Sequence, residues 1–222
     1  MSIVIAIDGP GGVGKSTISF EIAKKFNFML IDTGAMYRSV ALFAIKNNIS
    51  FESDEILELA QNLKFSFKQK NNKNLVFVNN EDVNSLIRTQ EVSMNASNVA
   101  KNGKLRKILV DKQRDLGKEF SIVIEGRDIG TVVFPKADVK LFLTASSEIR
   151  AQRRYKELLE KGIEISYEKV LKELKERDYN DSHRKESPLI QADDAILIDT
   201  GGLTLKEVTD KVIEIIKNKI GE

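Results

Sequence analysis

The stretch Ile3–Thr17, IVIAIDGPGGVGKST, constrains the fold more than any other part of the chain. A short apolar, mostly β-branched run stops at Asp8. Four glycines fall within the next six positions, and Lys15, Ser16 and Thr17 follow. Such a run before a turn signal reads as a buried strand over Ile3–Asp8. The apolar spacing of Ile18, Ile22, Ala23 and Phe26 then predicts a helix over residues 15–26. Strand, glycine loop and helix in direct succession open a parallel sheet covered by helices.

The glycine loop carries chemistry as well as shape. Gly9, Pro10, Gly11, Gly12, Val13, Gly14, Lys15 and Ser16 fit G-x-x-x-x-G-K-[ST], with Thr17 beside them. Glycines let backbone N–H groups approach a polyphosphate closely, and the following helix adds its positive end. Lys15 is placed to reach the β- and γ-phosphates and the Ser16 hydroxyl to ligate Mg²⁺. The alternative is a glycine-rich turn with an exposed lysine. The strand before and helix after favour nucleotide binding.

Further along, Phe28–Ile31 reads as a strand and residues 35–46 as a helix. Ser53 is the expected cap of another helix, with Ile56, Leu59, Ala60 and Leu63 as its core face. Alternation at Leu63, Phe65 and Phe67, a polar break at residues 71–74, and the run Leu75–Val78 predict a β-hairpin inside an inserted antiparallel subdomain. One helical stretch is expected over 89–116, strands over Phe120–Ile124, Val139–Thr144 and Ala195–Ile198, and charged helices over 146–160 and 166–180. Thr204 and Glu207 form a capping box for a last helix.

The 222 residues carry a net charge of +2, too balanced to point to nucleic acid or a membrane surface. Without cysteine there are no disulfides or thiolate metal sites. The first apolar run is far too short for a signal peptide or a span, so a cytoplasmic protein is expected.

A nucleotide site leaves two classes open: a kinase, or a switch or motor driven by hydrolysis. No N-K-x-D motif for guanine is present. A kinase needs a second set of phosphate-binding cations, and three segments offer them. DTGAMYR, Asp32–Arg38, follows the second strand, with Thr33 as an expected helix cap. EGRDIGT, Glu125–Thr131, sets Arg127 and Asp128 between two glycines after a strand. RDYNDSHR places Arg177, Asp181 and Arg184 at helical spacing, and Arg150, Arg153 and Arg154 sit together on the preceding helix. The bland alternatives are an N-cap, a turn with a local ion pair, and salt-bridged solvated faces. His183 is expected to be exposed and without a role.

IAIDGPGGVGKST, DTGAMYR, RTQEVSMNASNVA, EGRDIGTVVFPKADVKLFLTAS, RAQRR and KERDYNDSHR together make the chain resemble the bacterial cytidylate kinases, a branch of the nucleoside monophosphate kinases. These segments span essentially the whole chain. Thr33 stands where some members carry Ser, and Glu125 where some carry Asp.

The resemblance implies an α/β fold. It comprises a phosphate-loop NTPase core with a parallel sheet covered by helices, an inserted acceptor-binding subdomain with a small antiparallel sheet, and a helical lid. The core would span about 1–34, 117–148 and 186–222, the insertion about 35–116 and the lid about 149–185. The reaction implied is ATP plus CMP or dCMP giving ADP plus CDP or dCDP, with Mg²⁺. Arg38, Arg127 and Arg184 would hold the acceptor phosphate, with Thr33 also at the acceptor. Ser97, Arg106 and Asp128 would read the cytosine edge, and Arg177 and Asp181 the ribose. Arg150, Arg153 and Arg154 would face the transferring phosphates from the lid or its hinge. A monomer is the expected form. The runners-up are a kinase of UMP or a small hydroxylated metabolite, and an ATP-dependent regulatory protein.

Overall fold

The computed structural model describes residues 2–71, 73–160 and 162–221. Asn72 of the expected hairpin break, Lys161 of the expected lid, and the core's terminal Met1 and Glu222 lie outside the described residues. The chain forms two compact units, residues 2–4 with Ala23–Glu125, and Ile5–Ile22 with residues 126–221. The fold is α/β, with parallel strands, helices and a small antiparallel sheet.

In the second unit, β1 (Val4–Asp8) contributes Ile5–Asp8, which pair in parallel with β7 (Val139–Thr144). In turn, β7 pairs in parallel with β8 (Ile196–Asp199). The runs are apolar throughout because both faces are covered: Ile5, Ile7, Leu141, Leu143 and Ile198 are all buried. Gly9 turns the chain out of β1 with φ +148°. A Cβ there would lie 2.3 Å from the Leu143 carbonyl oxygen, so only glycine lets the loop cross β7 this closely. The loop leads into α1 (Lys15–Phe26). Later come α6 (Ser147–Glu160), α7 (Tyr167–His183) and α8 (Leu205–Ile220). The last has the expected capping box of Thr204 and Glu207.

The two charged helices carry more apolar surface than their composition suggests. Ala151, Val170 and Leu174 form a buried cluster, with Tyr155, Leu158, Ile165, Tyr167 and Leu171 packed against it. These helices therefore hold each other through a small core of their own.

In the first unit, β2 (Met29–Asp32) pairs in parallel with β6 (Ile122–Gly126), from Met29 opposite Ile122 to Asp32 opposite Glu125. The hairpin appears as expected. β3 (Phe65–Lys70) and β4 (Lys73–Val78) are antiparallel, and β5 (Glu81–Asp82) adds a short third strand. Two amides from this sheet reach β2's neighbourhood. Gln69 Nε2 donates to the Phe28 carbonyl at 3.0 Å and Asn74 Nδ2 to the Leu30 carbonyl at 3.2 Å.

Three local expectations are corrected. Asp32, not Thr33, caps α2 (Thr33–Lys46): its carboxylate accepts from Ala35 N, while the Thr33 hydroxyl donates to the Glu125 carbonyl at 2.7 Å. Ser53 does not cap α3 (Glu55–Asn62), because its hydroxyl donates back to the Ser50 carbonyl. The stretch 89–116 is two helices, α4 (Gln90–Val99) and α5 (Gly103–Glu119). The Asn102 side chain accepts from Leu105 N and starts the second helix afresh.

Candidate active site

In the second unit, the glycine loop, the β6–β7 connection and α6–α7 converge. Lys15 opens α1 and is only 8 % exposed. Its ammonium donates to the Gly9 carbonyl at 2.7 Å and the Pro10 carbonyl at 2.8 Å. Ser16 and Thr17 are exposed in the first turn, where backbone N–H groups have no partner within the helix.

Arg127 and Asp128 follow β6. The chain then makes a π turn, Ile129–Val133, in which Val133 N donates to Asp128 O and Phe134 N to Ile129 O. This wide turn re-aims the backbone, as single π turns at functional sites commonly do. Arg127 lies beside the glycine loop: a Cβ on Gly11 would sit 3.8 Å from an Arg127 terminal nitrogen and 3.9 Å from Arg177 Cδ. Arg127 Nε donates to Asp181 at 2.8 Å. Asp181 also faces Arg177 at 3.9 Å and Arg184 at 4.0 Å. Burial alone would raise the Asp181 carboxyl; the Arg127 charge and hydrogen bond, with Arg177 and Arg184, hold it below the usual range. Arg184 ends α7 and also approaches Asp128 at 3.7 Å. One cluster therefore holds Arg127, Asp128, Arg177, Asp181 and Arg184.

The α6 arginines separate. Arg150 is 5 % exposed and donates to the Ala145 and Gly11 carbonyls, each at 2.9 Å, while pairing with Asp178 at 2.7 Å. Arg153 donates to the Thr200 hydroxyl and carbonyl. Arg154 is exposed and pairs with Glu157 on its own helix at 2.8 Å. Sequence spacing put the three together, but only Arg150 touches the glycine loop.

The remaining expected residues belong to the first unit. Arg38 pairs with Asp32 at 3.0 Å. Arg106, 4 % exposed, lies over the Tyr37 ring at 5.4 Å and donates to the Ala100 carbonyl. Ser97 is half-buried on α4. In the second unit, His183 is exposed and stacks on Tyr179 with 4.1 Å between ring centres.

Sequence reading missed Asp8, taking it only as a strand end. Its carboxylate accepts from Ile129 N at 2.9 Å and Gly130 N at 2.8 Å. A lone acid at the end of an apolar strand, directly before a phosphate loop, was the available signal. Among the described residues, no group of three or more His, Cys, Asp or Glu side chains is arranged to hold a metal. An exposed hydroxyl at the helix start, such as that of Ser16, fits a cation such as Mg²⁺ that takes most of its oxygens from phosphate and water. No helix among the described residues is long and apolar enough to cross a membrane.

A solved structure of an uncharacterised protein from Eubacterium ventriosum matches this fold with TM-score 0.51 at 15 % identity, covering 98 % of this chain and 99 % of that one. A cytidylate kinase of Clostridium botulinum is 50 % identical over 218 residues, 98 % of this chain and 99 % of the relative. One from Fusobacterium nucleatum is 50 % identical over 220 residues, 97 % of this chain and 99 % of the relative. The family model for cytidylate kinase matches residues 5–218. A match of that extent, with full-length relatives at half identity, means that this chain belongs to the cytidylate kinase family.

Proposed function

We propose that this chain transfers the γ-phosphoryl group of ATP directly, in line, to the phosphate of CMP or dCMP, releasing ADP and CDP or dCDP. The observation that carries the reading is the approach of Arg127 to Gly11. An arginine with a fork for phosphate stands against a loop built for polyphosphate. Phosphoryl transfer needs positioning and positive charge more than a strong base, and these residues supply both.

Loop N–H groups from Gly9 to Thr17 and the Lys15 ammonium would bind the donor phosphates. Ser16 would hold Mg²⁺, which would offset the negative charge of the phosphates. Arg38, Arg127 and Arg184 would take the acceptor phosphate, with Thr33 nearby. Ser97, Arg106 and Asp128 would read cytosine, and Arg177 and Asp181 the ribose. Arg150 and Arg127 already pair with Asp178 and Asp181, so phosphate would compete with a carboxylate for each fork. Arg153 and Arg154 reach phosphate only if their contacts with Thr200 and Glu157 open. Residues 149–185 would act as the lid and 35–116 as the acceptor-binding insertion, in a cytoplasmic monomer.

The test is ADP formation with CMP, dCMP, UMP, AMP, GMP or no acceptor. CMP and dCMP should give the fastest turnover, with little ADP in the blank. Rapid hydrolysis without acceptor would instead mark a regulatory ATPase, and indifference to CMP another kinase.

Base choice has its own test. An ionised Asp128 only accepts hydrogen bonds, which suits the amino group of cytosine and opposes the carbonyl of uracil. Asp128→Asn offers donor and acceptor alike. The ratio of kcat/KM for CMP to that for UMP should shrink by about tenfold or more, roughly 1.4 kcal/mol. If Asp128 serves only to orient Arg184, both substrates should lose activity by one factor and the ratio should hold.

A further inference from the structure

We propose that Asp8 is a positioning residue for the acceptor nucleotide, its carboxylate fixing the backbone turn that directly follows Arg127 and Asp128. The inference rests on the acceptor-binding reading of that turn. Asp8 ends β1, and the next residue begins the phosphate loop. Its two oxygens accept separately, Oδ1 from Ile129 N and Oδ2 from Gly130 N. Those N–H groups open the π turn, where no earlier carbonyl of the turn can reach them. Gly130 leaves room for the Lys140 stem, since a Cβ there would lie 3.1 Å from Lys140 Cδ, and at 3.5 Å only in ordinary contact with Asp8 Oδ2. One buried side chain thus ties the strand behind the donor loop to the turn that begins directly after Arg127 and Asp128.

The pairing needs a carboxylate rather than merely a polar group. Two N–H donors take two acceptor oxygens, whereas an amide has one and would turn its own donors on the second N–H. The charged groups facing Asp8 are Asp128 on the turn and Lys15 on α1. Lys140 on β7 passes by with its ammonium on Asp194 and the Pro135 carbonyl. Burial pushes the Asp8 carboxyl up to about 6, against the pull of the Gly130 and Ile129 N–H groups; Asp128 raises it further and Lys15 lowers it. The sign follows. The two-oxygen clamp is complete above about pH 6, and protonation on acidification removes one acceptor.

The experiment compares Asp8→Asn and Asp8→Ala with the native chain in steady-state kinetics, thermal melting and amide exchange. KM for CMP should rise about tenfold or more while KM for ATP moves less than about threefold, the mark of a misplaced acceptor group. Amides of Ile129 and Gly130 should exchange at least about tenfold faster. The native-to-Asn ratio of kcat/KM for CMP should grow as pH rises through about 6. The phosphate of CMP titrates in the same range and cancels in that ratio. Asp8→Asn, closest in volume, decides the matter if Asp8→Ala does not fold. An unchanged KM for CMP, or an equal rise in both KM values, overturns the proposal and leaves Asp8 as strand packing. Arg127→Ala reads the underlying assignment separately. If that variant binds CMP normally, the turn has no acceptor role and the proposal falls with it.

Discussion

Lys15→Ala is expected to lower kcat by about a hundredfold or more, at least roughly 2.7 kcal/mol of transition-state stabilisation. The lysine is held at the start of α1 by two carbonyls of its own loop. That anchor holds its charge beside the loop, where the transferring phosphate would draw on it. Alanine removes both the charge and the two loop bonds. The lost bonds are worth about 1 kcal/mol each, and together shift Tm by about 4–8 °C in a chain of this size. A large loss of kcat with a small loss of Tm therefore separates the phosphate role from loop stability. A folded variant within about threefold of native turnover would remove Lys15 from the reaction.

Arg127→Ala should reduce kcat/KM for CMP by roughly two to three orders of magnitude, with KM for ATP nearly constant. The reason is double. The acceptor phosphate loses a forked donor, and Asp181 loses the partner that most lowers its carboxyl, leaving Arg177 and Arg184 at the longer distances of 3.9 and 4.0 Å. Arg127→Lys should recover part of the loss, because it restores the charge but not the fork. Kinetics at saturating ATP with CMP varied make the measurement. Values within threefold of native would refute the assignment.

The strands, the phosphate loop and the last helix were legible because each is specified locally. Strand β1 reads as apolar because both its faces are buried. The capping box of α8 needs only Thr204 and Glu207. What escaped depends on distant partners. Asp32 and Thr33 are equally good caps in isolation. Pairing of β2 with β6, register Asp32 to Glu125, brings the Thr33 hydroxyl to the Glu125 carbonyl and leaves capping to Asp32. The break between α4 and α5 did have a local mark, Asn102–Gly103, overruled by the helical propensity around it. Arg150, Arg153 and Arg154 share a stretch of helix, yet each meets a different element, which spacing cannot foretell. Asp8 and its π turn are 121 residues apart in sequence, so their meeting belongs to the tertiary fold alone.

The amides of Gln69 and Asn74 bear on how the molecule behaves in a crowd. An unpaired strand margin is a template on which another chain can add, and repeated addition makes fibres. Here the Phe28 and Leu30 carbonyls are already taken by side chains of the same molecule. A foreign strand would first have to strip both amides away before laying down its own backbone bonds. The small antiparallel sheet therefore guards this margin of β2 against strand addition, independently of any part it plays in holding a nucleotide.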